Sequence, residues 1–171
     1  MTSKYPEQPN GDVMAVFNTL KPKYYPLLEK NRTLIRHGTL NFFSVKIGDL
    51  LFPSGKFKVR NQCLKPRHFF LFNDCLLITK KLKSNRFRPR VFIHFRPNIQ
   101  LQERSYSLEF RLLVPVEKGL NQKHVNSRGI KKIEGKRYRS IVMYAKNQQE
   151  KDSWMRDLEG CGTTLTSGYL D

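Results

Sequence analysis

The hydrophobic positions of the chain are grouped in short runs that predict β-strands. Seven runs rich in aromatic and β-branched residues are separated by segments containing Gly, Pro, Asn or Ser, which favour turns. The runs span residues 33–46, 67–72, 75–81, 91–95, 99–103, 107–116 and 138–145. No segment recurs at the period of about 20 to 50 residues that is typical of repeat proteins. The pattern predicts one mainly β domain.

The segment RHFFLFNDCLLITKK, residues 67–81, predicts an antiparallel hairpin. Its two apolar runs favour strands, and Asn73-Asp74 between them favours a tight turn. Because both runs are almost continuously hydrophobic, each strand is expected to be covered on both faces. The sheet is therefore expected to curl on itself or to pack against another layer.

The pattern changes to helical spacing near the end of the chain, in NQQEKDSWMRDLEGC. Trp154, Leu158 and Cys161 recur at the spacing of one helix face. Asn147 is a suitable N-cap, and Gly160 favours the end of the helix. We expect an amphipathic helix whose Trp154 and Leu158 plug the exposed end of the sheet.

Residues 1–32 are predicted to form a partly helical N-terminal extension. The run VMAVFNTL is long enough for two helical turns, and Pro22 and Pro26 prevent a longer helix. After the C-terminal helix, residues 162–171 have no strand pattern and are expected to be a flexible tail. The predicted domain therefore spans residues 33–161.

Composition favours a cytoplasmic protein with a substantial core. The chain has 171 residues, of which 39% are hydrophobic. Cys63, Cys75 and Cys161 are an odd number of cysteines without a close metal-type pair, so reduced thiols are expected. No run is long enough to span a membrane, and the N-terminal residues lack the apolar stretch of a signal peptide.

The net charge predicts an anionic partner. The chain has 32 Lys and Arg but only 14 Asp and Glu, which gives +18 at pH 7. Lys and Arg side chains in such excess repel one another in the folded state, and an anionic partner would offset this repulsion. Nucleic acid and acidic membrane are the candidate partners.

Twenty of the 32 cations lie in three segments, residues 46–67, 80–90 and 117–139, which together hold three acidic residues. From these segments the predicted lipid-binding residues are Lys46, Lys56, Lys58, Arg60, Lys65, Arg67, Lys80, Lys81, Lys131 and Lys132.

Three motifs resemble the pleckstrin homology (PH) domain, in the form that follows the catalytic domain of Dbl-type Rho guanine-nucleotide exchange factors. They are RTLIRHGTL at the first strand, KPRHFFLFNDCLLITKK at the next two, and KNQQEKDSWMRDL with Trp154 at the position of the family's helix tryptophan. The resemblance covers residues 33–161. It implies a seven-stranded, strongly bent antiparallel sandwich, or partly open barrel, capped by one C-terminal helix. It also implies that the three basic segments surround the open end.

The resemblance implies binding of phosphoinositides or other anionic lipids. Phosphoinositide-binding members commonly carry a Lys on the first strand and Lys-x-Arg at the start of the second. Lys65-Pro66-Arg67 matches the second part, whereas Phe42 stands where the first Lys is expected. This departure favours weak and largely electrostatic binding over recognition of one headgroup.

The expected function is a non-catalytic membrane-targeting or adaptor module of a small-GTPase signalling protein. In exchange factors of this class the exchange activity resides in a separate helical domain. His37, His68, His94 and His124 are dispersed without a catalytic or metal-ligating pattern, so no cofactor and no metal are expected. The module is expected to be a monomer at the inner face of membranes.

Two other functions remain open. Leu50, Leu51 and Phe52 could anchor a protein partner such as a small GTPase, or insert shallowly into a membrane. The segment RFRPRVFIHFRP alternates cations with aromatic residues, as nucleic-acid-binding surfaces do. Nucleic acid is the less favoured partner, because the predicted helix is acidic and the chain has no zinc-finger spacing.

Overall fold

The computed structural model describes residues 9–43, 64–115, 130–133 and 136–166, with the backbone alone for residues 43, 130–133 and 136–139. In these residues the chain forms two α-helices and a nine-stranded sheet. The helices are α1 (Gly11–Thr19) and α2 (Gln148–Gly160). The strands are β1 (Leu34–Phe43), β2 (Leu64–Phe72), β3 (Cys75–Lys81), β4 (Phe87–His94), β5 (Gln100–Glu103), β6 (Glu109–Pro115), β7 (Ile130–Ile133), β8 (Lys136–Tyr144) and β9 (Thr164–Thr166). The prediction of a mainly β fold with one C-terminal helix is confirmed.

The chain divides into two compact units. The first contains Met1–Thr39 and Arg67–Phe95, and the second contains Leu40–Pro66 and Arg96–Asp171. In the first unit the strand order is β4-β3-β2-β1. In the second it is β1-β8-β6-β5-β9, with β7 paired to β8. Among the described residues the strand order does not return to its first strand in either unit, so this part of the sheet is not closed.

Two strands were not predicted from the sequence. β7 pairs with β8 inside a Lys- and Gly-containing segment that was interpreted as a loop. β9 pairs with β5 in parallel, although residues 162–171 were expected to be a flexible tail. Thr163 Oγ1 donates a hydrogen bond to the Leu158 carbonyl at 2.9 Å, and Thr164 N donates to the Ile99 carbonyl at 3.0 Å. The first bond joins Thr163 to α2, and the second places Thr164 beside β5, so Thr164–Thr166 form a strand in a segment for which no strand was expected.

β4 begins at Phe87, four residues before the predicted start at Val91. The preceding residues include Pro89, which was interpreted as part of a loop. β4 is the first strand in the order of its unit, and an edge strand tolerates proline because one side of the strand makes no ladder hydrogen bonds. Arg88 and Arg90 are therefore strand residues.

The hairpin predicted over residues 67–81 is confirmed as β2 and β3. His68 pairs with Thr79, and the register continues to the pair of Leu71 and Leu76. The segment 1–32 was predicted to be an extension, but its described part belongs to the core of the first unit. The apolar side chains of this segment pack with one face of the hairpin. The buried cluster contains Val13, Val16, Phe17, Leu20, Leu27, Phe70, Phe72, Cys75 and Leu77.

A buried arginine holds the N-terminal segment against the hairpin turn. The Arg32 guanidinium donates from Nε and Nη2 to the two carboxylate oxygens of Asp74, each at 2.7 Å. Its Nη1 donates to the carbonyls of Pro26 at 2.9 Å and Leu27 at 2.7 Å. Burial alone would raise the pKa of Asp74, but the hydrogen bonds and charge of Arg32 outweigh it and lower that pKa. The bidentate geometry is the strongest form of this ion pair.

Asn73, the other turn residue, also binds the N-terminal segment. Its Oδ1 accepts a hydrogen bond from Thr33 N at 2.9 Å, and its Nδ2 donates to the Asn31 carbonyl at 3.0 Å. Its backbone N–H donates to the Thr33 carbonyl at 3.0 Å. The turn therefore fixes the chain just before β1.

Two histidines lie together in the first unit. His37 Nδ1 is 3.1 Å from His68 Nε2, and the His68 ring packs against Phe70 and Phe87. Burial lowers the pKa of His68 to about 4, with smaller electrostatic contributions from His37 and Lys81. His68 is therefore neutral near pH 7.

In the second unit, α2 packs on β5 and β6. Trp154 is 2% exposed and Leu158 is fully buried. Asn147 Oδ1 accepts a hydrogen bond from Glu150 N at 2.8 Å, which is the predicted N-cap.

Lys151 is a buried cation that the sequence did not single out. Its Nζ donates to the carbonyls of Arg104 at 3.0 Å and Ser107 at 2.6 Å. It also forms an ion pair with Glu103 at 2.9 Å. The side chain thereby joins α2 to the turn between β5 and β6.

Replacing Trp154 with Ala is expected to lower the free energy of unfolding by about 3 to 5 kcal/mol, the range for truncating a buried large aromatic. Urea denaturation of the two proteins measures this difference. Arg156→Ala, at an exposed position of the same helix, is the matched control and is expected to change stability by less than about 0.5 kcal/mol. Similar values for both variants would contradict the buried position of Trp154.

Stability is expected to fall as the pH is lowered from the usual His pKa of 6.5 towards the value of about 4 for folded His68. In this window the unfolded state binds the proton and the folded state does not, so acid favours unfolding. The His68→Phe variant removes this group and is expected to lose less stability between pH 7 and pH 4.5. Denaturant midpoints at the two pH values test this, and identical losses in both proteins would contradict it.

Candidate functional site

Four cations lie at one end of β2, β3 and β4 in the first unit. Lys80 on β3 pairs directly with Arg88 on β4. Arg67 on β2 and Lys80 on β3 each lie one residue beyond the pair of His68 and Thr79. The charge of Arg90 acts on Arg67. We call Arg67, Lys80, Arg88 and Arg90 the cationic row.

The face that carries the row is apolar further along the strands. Side chains alternate between the two faces of a strand, so Arg67 shares a face with Phe69 and Leu71. Both of these residues are fully buried, whereas Arg67 is half-buried. On β3, Leu76 and Ile78 are likewise buried, and Lys80 is exposed. The same face thus changes from core to cationic surface within two residues.

A β-bulge creates the pairing of Lys80 with Arg88. Ile78 pairs with Val91, but the next residue, Thr79, pairs with Pro89, so the register shifts by one residue at Arg90. Without this shift, the register of Ile78 would place Pro89 opposite Lys80. The bulge therefore brings a second cation opposite Lys80.

The row is electrostatically unfavourable by itself. Like charges directly opposite each other destabilise a sheet. Burial and the positive charge of Arg90 lower the pKa of Arg67. Lys80, Arg88 and Arg90 are exposed, and none of them forms an ion pair with a carboxylate in the described parts of the chain. A bound anion would relieve this repulsion.

The structure brings together some of the residues predicted from the sequence. Arg67 and Lys80 belong to the row, and Lys65 lies half-buried on β2, two positions before Arg67. Lys81 lies next to Lys80 on β3, where it pairs with Phe87 and lowers the pKa of His68. It therefore lies on the other face of the sheet.

The remaining predicted residues are not placed at the row. Lys131 and Lys132 are on β7 in the second unit, opposite Tyr138 and Arg137, and their side chains are not described. The other predicted lipid-binding residues and the predicted anchor lie outside the described residues. They are Lys46, Lys56, Lys58, Arg60, Leu50, Leu51 and Phe52.

Arg88 and Arg90 are the site residues that the sequence prediction missed. They were counted among the cations of the basic segment 80–90 but were not selected as site residues, and they precede the predicted start of the strand at Val91. The available signal was Phe87, whose aromatic side chain continues the strand pattern towards Val91. The bulge that sets their position has no clear sequence pattern.

Metal-binding and membrane-spanning features are not found in the described residues. These residues contain no group of three or more His, Cys, Asp or Glu side chains that could hold a metal ion. None of the helices in that same part of the chain is long and apolar enough to cross a bilayer.

Solved structures with a similar fold are DH/PH fragments of Rho exchange factors. Human ARHGEF11 DH/PH, in a ternary complex with human RhoA and its inhibitor, superposes with a TM-score of 0.54 at 13% identity over 88% of this chain. The PDZRHOGEF DH/PH fragment in complex with human RhoA gives 0.53 at 11% identity and 88% coverage. A linker-DH/PH fragment of p115-RhoGEF gives 0.52 at 12% identity and 88% coverage. This chain spans 38%, 38% and 40% of those chains, respectively.

The sequence also matches a known domain family. The family model of the SOS1/NGEF-like PH domain matches residues 28–161, beginning five residues before the predicted boundary at residue 33. Both Arg32 and Asp74, which form the buried ion pair, fall inside this match. Because the match covers well over half of the sequence, this chain belongs to the SOS1/NGEF-like PH domain family.

Proposed function

We propose that this PH domain is a non-catalytic module of a Rho-type exchange factor that binds phosphoinositides or other anionic lipids through the cationic row. The observation that carries the proposal is the pairing of Lys80 with Arg88, beside Arg67 and Arg90, on an open surface. Lipid binding places the module at the cytoplasmic face of a membrane.

The residue types in the row suit phosphate. Arginine presents a planar fork that can donate two hydrogen bonds to one phosphate, whereas lysine acts as a compact point charge. The Arg67 side chain is half-buried, so it loses less conformational freedom than an exposed side chain when it binds phosphate. The three exposed cations can adapt to headgroups of different shape, which supports weak and broad recognition.

Electrostatic attraction supplies most of the expected affinity. Each basic residue near an acidic bilayer contributes about 1 kcal/mol, so the four cations supply roughly 4 kcal/mol. The net charge of +18 adds long-range attraction. Salt screens these interactions over about 8 Å at physiological ionic strength, so binding is expected to weaken as salt is added.

The Lys80→Glu variant is expected to change binding and stability in opposite directions. Its affinity for vesicles of phosphatidylcholine with phosphatidylinositol bisphosphate should fall about tenfold, because one attractive charge is replaced by a repulsive one. Its free energy of unfolding should rise by about 0.2 to 1 kcal/mol, because the introduced carboxylate would face Arg88 as an opposite charge. Vesicle sedimentation and urea denaturation measure the two effects.

Lys81→Glu is the matched control, since it makes the same charge change at the next residue but on the other face of β3. We expect it to lose clearly less affinity than Lys80→Glu. Equal losses would show that net charge alone drives binding and would contradict a site at the row. Tighter binding of the unmodified protein to single-stranded RNA than to these vesicles, at the same salt, would favour nucleic acid.

A second candidate function is docking to a small GTPase. The observation in its favour is that two of the similar structures are complexes of DH/PH fragments with human RhoA. Calorimetric titration with RhoA in its GDP-bound and GTP-analogue-bound forms distinguishes this function from lipid binding. Binding to RhoA that survives Lys80→Glu would assign it to a different surface.

The chain alone is not expected to accelerate nucleotide exchange on RhoA. It aligns with only 38% of the ARHGEF11 DH/PH structure, and we attribute exchange to the part of such proteins that this chain does not match. Release of a fluorescent GDP analogue from RhoA, with and without the chain, measures this. Acceleration above the intrinsic rate would contradict the proposed non-catalytic role.

A further inference from the structure

The N-terminal segment contacts the loop that joins β3 to β4. Arg86 Nη1 donates a hydrogen bond to the Asn18 carbonyl at 2.8 Å. Lys21 N donates to the Phe87 carbonyl at 2.8 Å, and Leu20 forms an isolated β-bridge with Phe87. The end of α1 and the residues after it therefore bind the first residue of β4.

The loop itself is short and closed. Leu82 N donates to the Arg86 carbonyl at 2.7 Å, and Ser84 and Asn85 have φ angles of 61° and 52°. These left-handed residues make a tight turn. The Arg86 carbonyl therefore closes the loop through its hydrogen bond with Leu82.

Arg86 has a structural role that the cations of the row lack. The last carbonyls of a helix carry partial negative charge, which attracts cations. Lys23 Nζ also donates to the Asn18 carbonyl, at 3.0 Å. Arg86 thus caps α1, whereas Arg88, two residues later, pairs with Lys80 in the row.

We propose that the segment from α1 to Lys21 is a positioning element for the cationic row. Docked α1 holds Arg86 and Phe87, and these residues fix the start of β4, where Arg88 faces Lys80. Docking of α1 and binding of anionic lipid therefore strengthen each other. The lipid part of this statement rests on the function proposed above.

The N-terminal segment can dock and undock as a unit, because α1 depends for its stability on its contacts with the hairpin. A helix of nine residues is too short to be stable in water by itself. Val13 is fully buried, and Val16 and Phe17 pack in the same cluster with Phe70 and Phe72. Losing these contacts unfolds α1 and removes the carbonyl partner of Arg86 in one step.

Substitutions at Val13 test this coupling, because they weaken docking without changing any charge or touching the β3–β4 loop. Val13→Ser is the strong variant, and Val13→Ala is a milder one in case the first does not fold. Ala15→Ser is the matched control, since Ala15 is exposed on the same helix. All three are made in the full chain.

Amide hydrogen exchange reports on the loop without any ligand. We expect Val13→Ser to accelerate exchange of the Leu82 amide about tenfold, since local opening becomes more frequent. The Ala145 amide, bonded to the Leu108 carbonyl in the second unit, is the internal reference and should not change. An unchanged Leu82 amide, or equal acceleration at both amides, would overturn the positioning role.

Vesicle binding reports on the row. With vesicles that contain phosphatidylinositol bisphosphate, Val13→Ser is expected to bind about fivefold more weakly, at the lower end of usual coupling between sites. Ala15→Ser should bind like the unmodified protein. Faster loop exchange with unchanged affinity would overturn the coupling to lipid. If the unmodified protein does not bind these vesicles, the proposed function fails, while the exchange experiment still decides whether α1 positions the loop.

Discussion

The ion pair between Arg32 and Asp74 connects the N-terminal segment to the sheet of the first unit. A buried guanidinium is costly unless its charge is paired and its donors are bonded, and Arg32 meets both conditions. Two of its bonds reach the hairpin turn, and two reach carbonyls of the chain that follows α1. The apolar contacts of α1 and the entry into β1 both depend on this position. Removing either partner leaves an uncompensated charge at the junction.

The cationic row illustrates how a proposed binding surface can oppose the stability of the fold. Lys80 and Arg88 face each other because a bulge shifts the register at Arg90. A sequence optimised for the sheet alone would place opposite charges there. The repulsion is limited because the side chains are exposed to water, where like charges interact weakly. The fold tolerates this repulsion because buried residues of the same strands, such as Phe69 and Ile78, stabilise the pairing register of the sheet.

The sequence predicts those parts of the fold that depend on local patterns. The β2–β3 hairpin follows from two apolar runs around Asn73-Asp74, and α2 follows from Asn147 and the spacing of Trp154 and Leu158. The pairing of Arg32 with Asp74 could not be predicted, because the two residues are 42 positions apart in the sequence. In the candidate site, Arg67 and Lys80 follow from strand alternation. Arg88 and Arg90 do not, because their positions depend on the bulge between β3 and β4, which has no clear sequence pattern.

The edge of β4 has a consequence for association between copies of the protein. A regular edge strand offers free backbone groups to which another chain can add a strand. Pro89 lacks one of these donors, the bulge at Arg90 interrupts the regular spacing, and Arg88 adds charge along the edge. The features that set the cationic row thus also protect the sheet from self-association, so the same short strand can serve both recognition and solubility.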